Sequence, residues 1–168
     1  MISFPDWYQG GYTDAEKAFY CMLYPYGELT DPKIEIVTWR QWRGPGDGPV
    51  ALLYRNGGAS EGVLDEPIME LAVFSEDRDV SMQVTEYLRQ AVLTFRSSGG
   101  VVKAAGIIAD EDPGFSANIK GADDHMGPQL ISDKDDVDAR VVFSSYRLCL
   151  RQPRGLPNYD NIRDQVIP

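Results

Sequence analysis

The sequence predicts an α+β domain, a mainly antiparallel mixed sheet with one or two helices packed on one face. Three observations predict it. A strand, turn, helix, turn and strand follow one another from Ile68 to Ile108, a capped amphipathic helix lies near the N-terminus, and β-branched and aromatic runs flank both. With 168 residues the chain is long enough for one domain with a real core, burying roughly 70% of the surface its unfolded form would expose.

The first helix opens at Thr13-Asp14-Ala15-Glu16, which has capping-box spacing: Thr13 accepts from the Glu16 N–H and the Glu16 side chain reaches back. Ala15, Ala18, Phe19, Met22 and Leu23 then share one face, and Pro25, which has no N–H to donate, is expected to end the helix. Ile34 to Trp42 reads as a strand, the cluster 43–49 as a turn, and Val50 to Tyr54 as the return of a hairpin. Arg55-Asn56-Gly57-Gly58 offers a second turn that tolerates positive φ.

Ile68 to Phe74 is the next strand, and Ser75-Glu76-Asp77 can accept hydrogen bonds from the free N–H groups that open a helix. Apolar residues at 80, 84, 87, 88, 91, 92 and 95 follow a 3.6-residue period, placing Val84, Leu88, Ala91, Val92 and Phe95 against the sheet. Ser97-Ser98-Gly99-Gly100 supplies a left-handed C-cap, and Val101 to Ile108 reads as a returning strand. The last strand runs from Val137 to Arg151, with Tyr146, Leu148 and Leu150 alternating against Arg147, Cys149 and Arg151.

This divides the chain into an N-terminal extension (1–12), the domain (13–151) and an extended C-terminal tail (152–168). Residues 110–136 show no clear period and are expected to be an extended arm or hairpin that covers a neighbouring surface. The arm holds Phe115, Ile119, Met126 and Leu130, and the tail holds Leu156, Tyr159, Ile162 and Val166; both sets are expected at interfaces.

A net charge of −10 argues against a groove that grips nucleic-acid phosphates. Cys21 and Cys149 have no CxxC partner and read as small buried hydrophobes of a reducing compartment. No apolar run approaches the ~18 residues of a membrane span, and the N-terminus lacks the basic and apolar regions of an export signal. Asp133, Asp135 and Asp136 form an acidic cluster whose spacing does not fit a calcium loop, because Asp138 and Ser144 stand where Gly and Glu are needed. Gly44-Pro45-Gly46-Asp47-Gly48 follows a strand but precedes no helix, so it offers no phosphate cradle. Trp39 and Trp42 lie among few cations and read as packing residues. No cofactor or metal site is expected. His125, beside Asp123 and Asp124, is the chain's single histidine and the one candidate general base.

The N-terminal helix, the strand pair, the run from Asp65 to Asp79, the amphipathic helix, Gly99-Gly100-Val101-Val102 and the late strand together resemble the tail terminator proteins of long-tailed bacteriophages. The resemblance covers most of residues 13–151, and Pro67 to Asp79 carries its most specific part. It implies a homo-oligomeric ring, commonly a hexamer, that caps the tail tube, stops its growth and joins it to the head–tail connector or stopper. The implied partners are further copies of this chain, the tube protein and the connector. DNA would cross the channel without specific binding, past a wall that Asp133, Asp135 and Asp136 make negative. The implied location is the virion tail or neck, after assembly in the host cytoplasm. Two alternatives stay open: another head–tail joining, head-completion or tube protein, and a small cytoplasmic enzyme using His125 and the acidic loop.

Overall fold

The computed structural model describes Ser3, Pro5 and residues 11–38, 48–61, 64–131 and 141–151. Along them run α1 (Ala15–Glu28), β1 (Glu35–Thr38), β2 (Val50–Glu61), β3 (Leu64–Phe74), α2 (Arg78–Leu93), α3 (Phe95–Ser98), β4 (Gly100–Lys103), α4 (Ile107–Glu111), β5 (Ser116–Leu130) and β6 (Val141–Arg151). The six strands form one mixed sheet in the order β1-β2-β3-β6-β5-β4. Every pairing but β1–β2 is antiparallel, so the α+β expectation holds.

Helix α1 begins one residue later than the capping-box spacing predicts. Asp14 is the N-cap, its carboxylate accepting from the N–H groups of Glu16 and Lys17 at 3.1 and 3.2 Å. The helix also continues through Pro25 to Glu28. A proline inside a helix costs about 3 kcal/mol, and contacts beyond it offset that cost. The Tyr26 ring meets Tyr87 edge-on at 6.4 Å, the Tyr87 hydroxyl donates to the Tyr26 carbonyl, and Gly27 lies so close to Ile34 that a Cβ would sit 2.6 Å from its carbonyl oxygen.

Strands β1 and β2 are parallel, Glu35 beside Val50 and Thr38 beside Leu53, so they are not the predicted hairpin. Parallel neighbours cannot be joined by a tight hairpin turn; Trp39, Trp42 and the glycine-rich run as far as Asp47 lie outside the described residues. The second expected turn is a bulge instead. Strand β2 runs on through Gly57 and Gly58, at φ 116° and 112°, with a register shift between Arg55 and Gly58, and pairs with β3 as far as Glu61 and Leu64. Gly58 is required there because a Cβ would lie 2.3 Å from the Glu66 carbonyl oxygen.

Helix α2 opens at the N-cap Asp77 and buries Ser81, Thr85, Leu88, Ala91 and Val92. Val84 and Phe95 pack half-buried at the margin, and Val80 is 37% exposed, so the buried stripe is rotated towards two hydroxyl residues relative to the apolar pattern. Both hydroxyls are satisfied: Thr85 Oγ1 donates to the Ser81 carbonyl at 2.7 Å, and Ser81 Oγ lies 2.8 Å from Ser75 Oγ. Gly99 ends α3 with a positive φ of 57°, as glycine allows, but its ψ of −158° is not that of the left-handed C-cap the sequence suggests. The returning strand is short, ending at Lys103, and Ile107–Glu111 is a helical turn.

The largest departure lies in residues 110–136. Within this stretch, expected as an extended arm or hairpin, Ser116–Leu130 is β5, a strand of the sheet that pairs antiparallel with β4 through residues 116–119 and with β6 along most of its length. Register shifts at Ile119/Gly121, Asp124/Met126 and Met126/Gln129 break its alternation, which is why no period of two is visible in the sequence.

Helices α1 and α2 share one face of the sheet. Their buried side chains join Ile36, Leu53, Leu71, Ile119, Leu148 and others in one core. Each such Leu or Ile contributes about 1.5–3 kcal/mol by burial. Tyr146 lies within it, 5.9 Å from the Phe19 ring, its hydroxyl 2.9 Å from Ser144 Oγ and its pKa pushed up to about 12 by burial. A smaller cluster, Val37, Val50, Leu52 and Ala72 with half-buried Tyr54, Phe74 and Phe143, occupies the opposite face. Both cysteines are free thiols, Cys21 buried and Cys149 half-buried.

Candidate assembly surfaces

Strand β5 carries most of the described residues for which the sequence suggested chemistry. His125 is exposed on it, and the carboxylates on either reading of a dyad are committed elsewhere. Asp123 accepts from Arg96 Nε at 2.8 Å. Asp124 is paired with Arg89, whose hydrogen bonds hold its carboxyl below the usual range. Neither neighbouring carboxylate is therefore free to orient the His125 ring. Among the described residues no group of three or more His, Cys, Asp or Glu could hold a metal ion. Asp112 pairs with Lys17 at 3.3 Å.

The expected interface residues separate once the strand is in place. Ile119 has no exposed surface and serves this chain's own core. Phe115 packs half-buried against that core, under the Lys17 ammonium at 5.9 Å from its ring centroid. Met126 and Leu130 are half-exposed on β5, Met126 opposite Ser145 and Leu130 opposite Val142. Leu156, Tyr159, Ile162 and Val166, with Asp133, Asp135 and Asp136, lie outside the described residues.

Two surfaces emerge that the sequence reading did not single out. One is a cleft of about 480 Å³ between the loop after α1, the start of β2 and the first half of α2, floored by Pro32, Ile34, Pro49, Val80, Val84 and Tyr87. Asp31, Glu76 and Asp77 line its rim, and no cation does among the described residues. Val80 was the available signal, an apolar residue at the edge of the helical stripe. The other surface is the sheet face opposite the helices, around β4. The register there gives Val101 beside Asn118 and Lys103 beside Ser116. Val101 is 59% exposed, with Lys103 and Lys120 exposed on its own and the neighbouring strand; Arg147 and Arg151 follow on β6, where Arg147 lies opposite Asp123.

No helix is long and apolar enough to cross a membrane among the described residues. A family model described as phage tail termination protein matches residues 11–157, from just before α1 to beyond the end of β6. No curated protein matches the chain.

Proposed function

We propose that this chain, which belongs to the phage tail termination protein family, is a structural component of the virion tail that forms a ring, caps the tail tube, stops its polymerisation and joins it to the head–tail connector. The observation that carries the reading is the family match, which takes in all the described α+β domain. Two features of the surface support it. The carboxylates beside His125 are held by Arg89 and Arg96, and apolar side chains stand exposed at Tyr12, Leu29, Val101, Ile107 and Ile131, the kind of surface that association covers.

Six copies would close the ring, with the tail residues Leu156, Tyr159, Ile162 and Val166 and the β5 residues Met126 and Leu130 turned towards neighbouring components. The cluster Asp133, Asp135 and Asp136 would face the channel, where negative charge repels phosphates and lets DNA pass unbound. Assembly would take place in the host cytoplasm on a completed tube.

The test is tail length. Phage lacking this chain should yield tubes that grow beyond normal length and fail to join heads, seen by electron microscopy, and resupplying the protein should restore both. Tails of normal length joined to heads in its absence would refute the proposal.

A further inference from the structure

We infer that the acidic-rimmed cleft of one copy receives the β4 patch of the next, so that Val101 enters the cleft beside Val80 while Lys103 and Lys120 meet Asp31 and Glu76. The inference rests on the ring reading and names the surfaces that would build it. Three observations carry it. The first is apolar match: Val101 is 59% exposed on an edge strand, and the cleft of about 480 Å³ is floored by valines, prolines and Tyr87. The second is charge. The cleft rim holds carboxylates, and the described residues contain no ion-pair partner for Lys103 or Lys120.

The third is placement. β1 and β4 are the two outer strands of the sheet. Val50, Phe74 and Val141 align at one end of the ladders, where β3 hands over to α2 and the cleft opens. Leu64 and Arg151 align at the other end, where Leu150 faces Ile119 and Ile119 faces Gly100 of β4. The cleft and the patch therefore lie at diagonally opposite corners of the sheet. Two different, complementary surfaces so placed make a heterologous contact, and repetition of a heterologous contact closes a ring when the rotation between copies allows. A patch that paired with itself would stop at a dimer.

Thiol cross-linking tests the pairing in the full-length chain, with Cys149 replaced by Ala so that only introduced thiols are accessible. Mild oxidation of a mixture of V80C and V101C chains, on assembled tails, should give disulfide-linked dimers that neither variant gives alone, and the V80C/V101C double variant should give a covalent ladder ending at the ring size. Charge reversal is the second arm. K103E/K120E should lose rings, as should D31K/E76K, and the chain carrying all four changes should regain them. Rings of the V80C/V101C chain that yield no cross-link, or four-fold reversal that rescues nothing, overturn the pairing and leave the ring reading standing. Wild-type tails that carry no ring of this chain overturn both.

Discussion

The Arg89 guanidinium of α2 grips Asp124 of β5 with two parallel bonds, Nε to Oδ1 at 3.0 Å and Nη2 to Oδ2 at 2.8 Å, while Nη1 holds Glu86 one turn back on its own helix. This fork ties the wet side of α2 to a strand whose register is interrupted, and it fixes the strand at the point where its alternation fails.

Its pH dependence follows from the direction of the shift. The hydrogen bonds from Arg89 lower the Asp124 pKa, so the folded state favours the carboxylate more than the unfolded chain does. The contribution is therefore complete above the ordinary carboxyl range, near pH 4, and is lost as pH falls through the folded value. Arg89→Ala should destabilise the protein by on the order of 1 kcal/mol at neutral pH, the scale for a partly exposed pair. Denaturant melts of both proteins should converge towards pH 2. A gap that stays constant across that range would show that Arg89 acts through packing alone.

Leu88 is fully buried beneath α2, between Thr85 and Val92 on the face that meets the sheet. Leu88→Ala should cost about 2–5 kcal/mol, the range for a core cavity. Val84→Ala, at the half-buried margin, should cost less, and Val80→Ala less again. Urea denaturation of the three variants should rank them in that order. Equal effects at Leu88 and Val80 would contradict the rotated register of the helix.

How far the sequence revealed this arrangement depended on whether the relevant force acts locally. The helix at 78–93 and the strand before it were legible because one side of each meets one environment, so burial writes a period into the residues. Pro25, the parallel pairing of β1 with β2 and the course of Ser116–Leu130 were not. Pro25 is overruled by Tyr26 and Tyr87, which lie far apart in sequence; a turn-rich stretch reads alike whether it closes a hairpin or begins a crossover; and three register shifts erase the alternation of β5. The same limit governed the surfaces. The cleft draws on the loop after α1, the residues just before β2, the turn after β3 and α2 at once, so only Val80 hinted at it, and Ile119, expected in an arm, is core once its strand is in the sheet.

The proposed channel lining has its own consequence. If Asp133, Asp135 and Asp136 face passing DNA, changing all three to Lys should leave rings intact and slow or block DNA delivery, since each new cation attracts a phosphate and the effect should weaken as salt rises. Particle counts by electron microscopy and DNA-release assays separate the two readouts. Normal delivery by particles carrying the triple change would exclude these residues from the channel wall.

The tail provides the last prediction. β6, whose Tyr146, Leu148 and Leu150 are buried in the core, ends at Arg151, so deleting Pro153 to Pro168 removes none of the described core. The truncated chain should fold, with a melting temperature within a few degrees of the intact protein, a shift of roughly 1 kcal/mol or less. Leu156, Tyr159, Ile162 and Val166 would go with it, and a segment that contacts a neighbour contributes free energy to assembly and little to the isolated domain. Rings should therefore form only at higher concentration, or tails should run past their normal length. The family match reaches residue 157, which allows a finer cut: deletion from Asn158 onward keeps Leu156 and should show the smaller defect. Light scattering and tail-length measurement on both truncations decide the matter, and wild-type rings with normal tails from the shorter chain would show that the segment plays no part in assembly.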